Sequence, residues 1–264
     1  MSKKGESKTP IELITFKSED GLDENEISIL LRDEGESSGF YMNGFIWGHL
    51  AAKHVHSKLN KKLKVFQPKC RSEINEMIKA ITSITDFIEV HYHHEEEIAW
   101  KFLIEQQSCL SEPLITQVKI QHSEWTEINK EMKQLIKSLS DNQDIKDTQS
   151  NGWLESITKI KEILQKQTTI VYKSFYDEER IIIPVVISSI PKSKQNKLSE
   201  KMNETMKNAP TSKFVLGAIL DVCKTNKDLD ENVKKAIPWA VRKVIFPLAL
   251  EKNYNWFAEF VEVK

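Results

Sequence analysis

Apolar residues recur at every third or fourth position in four long stretches of this chain, the spacing of one face of an α-helix. The first row is Met42, Phe45, His49, Ala52, His56, Leu59 and Leu63, and it predicts a helix over about 40–65, stopped by Pro68. The second is Met77, Ile81, Ile84, Ile88, Ile98 and Phe102, on a helix of roughly 71–106. Its gap, filled in steps of three and four, lands on His91 and Glu95. His93 and Glu97 have the same spacing but lie off the row. The third row, over about 113–140, is Val118, His122, Trp125, Ile128, Met132, Leu135 and Leu139. The fourth, over about 153–190, is Ile160, Leu164, Val171, Ser174, Glu178, Ile181 and Val185.

The breaks support this division. Ser111-Glu112-Pro113 marks a turn and a new start, with proline in the first helical turn. Asn151-Gly152 reads as a turn before the fourth helix. Upstream, a polar tail leads to a short amphipathic segment, Glu24 to Arg32. The run Gly35-Glu36-Ser37-Ser38-Gly39 then breaks the chain, with Ser38 as an N-cap. Four long helices on short connections predict an all-α fold, an antiparallel four-helix bundle with additional C-terminal helices. The expected organisation is an N-terminal extension over 1–36, the bundle over 37–208, and a C-terminal helical segment over 209–264 packing on it.

Each buried row is interrupted by polar residues: His49 with His56, His91 with Glu95, His122, and Ser174 with Glu178. Buried polar groups need partners, and buried charges need pairing or a metal. Polar groups converging from four helices on one layer are how bundles build metal sites. One alternative is a polar layer satisfied by hydrogen bonds and water. His56 reads as a hydrogen-bonded core histidine, and His54 and His93 as surface residues. Ser174 is expected to bond the carbonyl one turn back.

The order histidine, His91-x3-Glu95, histidine, then Glu178 resembles the hemerythrin-like, HHE cation-binding family. The resemblance covers roughly residues 40–208. Its strongest part is His91-Tyr92-His93-His94-Glu95-Glu96-Glu97; the second motif is Asp177-Glu178-Glu179-Arg180-Ile181-Ile182-Ile183-Pro184. That family is a four-helix bundle holding a non-haem di-iron centre. Carried over, His49, His91 and His122 would be imidazole ligands, and Glu95 and Glu178 would bridge two metals. The sequence departs from the pattern at Ser174, where the family has histidine, and no histidine follows residue 122. Water, Asp177 or His94 would have to complete that side, so the second of two irons should be held more weakly. Zinc or manganese could take the same ligands. The resemblance implies dioxygen or another small oxidant as partner, and carriage, sensing and redox chemistry all remain open.

Composition narrows the rest. Net charge is -1, with 29% charged residues, so no global field draws nucleic acid or an anionic membrane. The lysine runs at Lys53 to Lys64 and Lys192 to Lys201 read as solvated helix faces. Only 8 Gly and 8 Pro favour helix over sheet. Cys70, Cys109 and Cys223 are odd in number and far apart, which points to a reducing compartment and, with no apolar leader in residues 1–10, to the cytoplasm. No run is long enough for a membrane span. The C-terminal aromatics, Trp239, Phe246, Tyr254, Trp256, Phe257 and Phe260, either pack on the bundle or form a patch for a protein partner or a membrane surface. A metal-free scaffold acting through such contacts is the alternative function.

Overall fold

The computed structural model describes residues 24–106, 112–141 and 151–262. Cys109, most of the 141–152 link and the N-terminal tail lie outside the described residues. Among the described residues there are helices and no strands. They are α1 (Glu24–Leu31), α2 (Asn43–Val65), α3 (Arg71–His94), α4 (Trp100–Gln106), α5 (Glu112–Asp141), α6 (Asn151–Ser189), α7 (Lys192–Asn208), α8 (Ser212–Cys223), α9 (Lys227–Ala236), α10 (Phe246–Asn253) and α11 (Asn255–Val261). A π-helical turn, Glu95–Ala99, joins α3 to α4 without a break.

Helices α2, α3, α5 and α6 pack as a closed ring: α2 on α3, α3 on α5, α5 on α6, and α6 on α2. His49, before the 66–70 link, meets His91 beyond it, so α2 and α3 run antiparallel. His122 and Glu178 meet in the same way across the α5–α6 link. The four rows face this interior. In the first, Met42, Phe45, His49, Ala52, His56, Leu59 and Leu63 are all buried. Each row supplies large apolar side chains above and below a single polar layer.

Three local expectations change. Ser38 does not cap α2. Its hydroxyl accepts the Phe40 N–H at 3.1 Å, and α2 begins only at Asn43, after Met42. Asn151-Gly152 is not a turn ahead of α6 but its first two helical residues. The second row does not continue to Phe102, which is only partly buried; Trp100 and Leu103 are buried instead. The π-turn explains this, because its extra residue rotates everything beyond Glu95 by one position.

The remaining helices brace the ring. α8 packs on α2 and α3, and α11 packs on the same two helices. Asp221 of α8 accepts from His54 at 2.9 Å, Lys58 at 2.7 Å, Lys224 at 2.9 Å and the Tyr254 hydroxyl at 3.0 Å. His54 is therefore not a simple surface residue: it ties α2 to α8. Gly217 lets this corner close, since a Cβ there would lie 2.4 Å from the Tyr254 ring. Of the C-terminal aromatics, Phe246, Tyr254, Phe257 and Phe260 are buried, while Trp239 is 65% exposed. No helix among the described residues is long and apolar enough to cross a membrane.

Candidate metal centre

The polar interruptions of the four rows meet in one layer. α2 brings His49, α3 brings His91 and Glu95, α5 brings His122, and α6 brings Ser174 and Glu178; all are buried. His93 and Glu97, off the row, are exposed. One ligand atom from each of His49, His91, Glu95 and Glu178 can be chosen so that all lie within 4.8 Å of one another.

The distances have a pattern. Glu95 Oε1 lies 3.1 Å from His91 Nε2 and 3.6 Å from His49 Nε2, while its Oε2 lies 3.6 Å from His122 Nε2. Glu178 Oε2 lies 3.3 Å from His49 Nε2, and its Oε1 lies 3.3 Å from His122 Nε2. Each carboxylate thus turns one oxygen toward the His49–His91 side and the other toward the His122 side.

These groups satisfy one another only in part: His122 Nε2 and Glu178 Oε1 pair at 3.3 Å, and the rest do not. His49 Nε2, His91 Nε2, both oxygens of Glu95 and Glu178 Oε2 are buried without a hydrogen-bond partner. Five orphaned atoms in one dry layer would be costly in a finished hydrogen-bond network. A cation among them would satisfy all five. Edges of 3.1–3.6 Å fit neighbouring ligands around a first-row ion with bonds of about 2.0–2.2 Å. The residues present fit a metal, and this buried His/His/Glu/Glu cluster is able to coordinate one. Its chemistry is consistent with iron.

Two carboxylates outside the four rows set the histidine tautomers. His49 Nδ1–H donates to Glu179 Oε1 at 2.8 Å, and Glu179 is held in turn by Lys53 at 3.0 Å. His122 Nδ1–H donates to Glu96 Oε1 at 2.9 Å. A carboxylate can only accept, so Nδ1 carries the proton and Nε2 is left for the centre. The signal was present as the doublets Glu95-Glu96 and Glu178-Glu179. In each, the first residue faces the centre and the second reaches sideways to the histidine of a neighbouring helix. Substituting Glu179→Gln should weaken metal binding on the His49 side about 10–100-fold, and Glu96→Gln should do so on the His122 side. Competitive chelator titration of the purified variants measures it; unchanged affinity in both would remove this role.

Without an ion the centre holds protons. Burial alone would keep the His49 ring neutral, but Glu178, Glu179 and Glu95 outweigh it and raise its pKa to about 10. His122 is likewise raised to about 9, against burial, by Glu178 and Glu96. Burial pushes the Glu95 carboxyl up, yet His91, His49 and His122 hold it well below the usual range. A metal ion competes with protons for both Nε2 atoms, so loading near neutral pH releases them.

The other candidates fall outside the cluster. His56 Nδ1–H donates to Ala52 O at 2.9 Å, and burial lowers its pKa to about 4, so it is a neutral core histidine. Asp177 accepts from the Gln121 amide at 2.5 Å. His94 is buried, but it lines a cavity of about 100 Å³ beside the cluster, together with His91, Met42, Phe45, Met202 and Met206. Ser174 does not bond a carbonyl; its hydroxyl donates to Glu178 Oε1 at 2.6 Å.

No protein-family model matches the sequence, and no solved structure matches it. An uncharacterized protein of Dictyostelium discoideum is 82% identical over 259 residues, which cover 98% of this chain and 100% of that protein. The chain belongs to the same family as this Dictyostelium protein, and its buried His/His/Glu/Glu cluster matches the hemerythrin-like di-iron motif.

Proposed function

We propose that the protein binds two iron ions in this layer and reacts there with dioxygen or another small oxidant. His49 and His91 would hold one ion and His122 the other, with Glu95 and Glu178 shared between them. The observation that carries this reading is the division of both carboxylates, one oxygen toward each side. A carboxylate set between histidines of different helices, one oxygen toward each, is suited to being shared by two ions. In this reading residues 37–208 are the metal-holding unit, with 1–36 and 209–264 as additions to it.

A ferrous pair supplies electrons for binding or reducing dioxygen. The protein supplies the surroundings. Glu179 and Glu96 fix the imidazole tautomers. Phe175, stacked 3.9 Å from the His49 ring, and Tyr92, 3.7 Å from that of His122, shut water out on both sides. The cavity beside His91 has a largely apolar lining and a size suited to a small neutral molecule. It offers such a molecule a way to the His91 side. Free Cys70 and Cys223 fit a reducing compartment such as the cytoplasm. A protein contact through the C-terminal segment, where Trp239 and Val244 are exposed, is the second reading.

The test is anaerobic loading with ferrous iron, removal of loose metal, and elemental analysis. About two irons per chain is the expected result, as in the carboxylate-bridged sites of such bundles. A chain that reproducibly retains none would leave the metal-free scaffold in its place.

A further inference from the structure

The two sides of the centre are built on one plan. On α3 the order is His91-Tyr92-x-x-Glu95-Glu96, and on α6 it is Ser174-Phe175-x-x-Glu178-Glu179. Position by position the roles agree. Glu95 and Glu178 divide their oxygens between the sides. Glu96 and Glu179 each orient a histidine of a neighbouring helix. The Tyr92 ring stacks on His122 at 3.7 Å and 14°, and the Phe175 ring stacks on His49 at 3.9 Å and 6°.

One pair of positions breaks the correspondence. Phe175 sets its ring against His91, with centroids 5.2 Å apart at 77°. By the same plan Tyr92 faces Ser174. Where one side has phenylalanine and histidine, the other has tyrosine and serine. The imidazole missing from Ser174 and the oxygen added at Tyr92 therefore concern the same place. The Ser174 hydroxyl is within reach of that oxygen, and the carboxylates of Glu178 and Glu95 act on it. Yet Tyr92 Oη is buried, and no group, Ser174 included, meets it with the distance and angle of a formed hydrogen bond. The Ser174 proton is already given to Glu178 Oε1. Buried tyrosine hydroxyls ordinarily find a partner. This one is left over at the side of the centre that is short of a ligand.

We infer that Tyr92 replaces the missing histidine, its phenol oxygen binding the ion on the His122 side. The inference rests on the two-iron reading above. On ligation the phenol O–H bond breaks, the proton leaves to solvent, and an oxygen lone pair forms the metal–oxygen bond. The oxidation state of the metal does not change in that step. An anionic oxygen suits ferric iron better than ferrous, so the bond is strongest after oxidation.

The experiment loads the full chain with ferrous iron under anaerobic conditions and counts iron by elemental analysis. Air then oxidises it to the ferric state, dioxygen being the electron acceptor. Visible absorption and resonance Raman spectra are recorded. The expected result is a phenolate-to-ferric charge-transfer band, with tyrosine ring modes enhanced on excitation into it. Tyr92→Phe, which keeps the ring and its stacking, should lose the band while retaining the helical circular dichroism of the wild type. Tyr172→Phe, whose hydroxyl bonds Lys53 O on α2, should keep it. A fully loaded wild type without the band, or a band that survives Tyr92→Phe, overturns the assignment and leaves the iron reading standing. A wild type that holds no iron overturns both, and the iron count separates the two failures.

Discussion

Glu95→Ala and His91→Ala should each leave the purified protein with little of its metal, whereas His54→Ala should retain the wild-type complement. Glu95 is the harsher loss. Its two oxygens face His49 and His91 on one side and His122 on the other, so one truncation takes an anionic ligand from both. His91 removes one imidazole from the better-furnished side. His54 is also a histidine of α2 with a carboxylate partner, but that partner is Asp221, outside the cluster. Stability should follow the metal. At free metal a hundredfold above its Kd, binding adds about 2.7 kcal/mol, or about 5–10 °C in melting temperature for a chain of this size. Wild type and His54→Ala should show that shift on loading, and Glu95→Ala should not. Equal metal in all three variants would place the site elsewhere.

The second large effect concerns Ser174. Ferrous titration of the wild type should give one tight and one weaker step, because a neutral hydroxyl stands where the other side has an imidazole, and a tyrosine oxygen is a poorer ferrous ligand than imidazole. Ser174→His should tighten the weaker step at least tenfold, about 1.4 kcal/mol. An imidazole placed there meets the Tyr92 hydroxyl, so the single variant is crowded. The double variant Ser174→His with Tyr92→Phe recreates the pair already present as His91 and Phe175. It should therefore bind two ferrous ions most evenly of the three. Two equally tight steps in the wild type, or no gain in either variant, would show that another residue already fills the position.

What could be read from the sequence was whatever repeats along one helix. A buried row advances by three or four residues, so His49, His91, Glu95, His122, Ser174 and Glu178 announced themselves as polar residues in apolar company. Groups that act across helices left no such trace. Glu96 and Glu179 each sit one residue past a row, about a quarter-turn round the helix, where a glutamate looks like ordinary solvated surface. His54 looked equally ordinary until α8 brought Asp221 to it from 167 residues away. The π-turn shifted the row by one residue, and no helical period contains that information. Tyr92 was hidden for the same reason as the glutamates: its partner ring, His122, belongs to α5.

The cross-bracing of the histidines has a consequence for how the centre comes into being. His49 sits in the first helical hairpin, and the carboxylate that orients it, Glu179, arrives 130 residues later at the far end of the second. The debt is returned by Glu96 of the first hairpin, which orients His122 of the second. Neither hairpin alone holds both His49 and Glu179, or both His122 and Glu96, so the first hairpin by itself would offer His91 and Glu95 on one helix but a His49 ring without its orienting carboxylate. The ordered centre must await the closure of a very long loop, whose entropy opposes it. If the layer binds metal as proposed, capture at full affinity would require both hairpins to have docked, and the ion would act as a latch on a completed fold rather than as a seed for it.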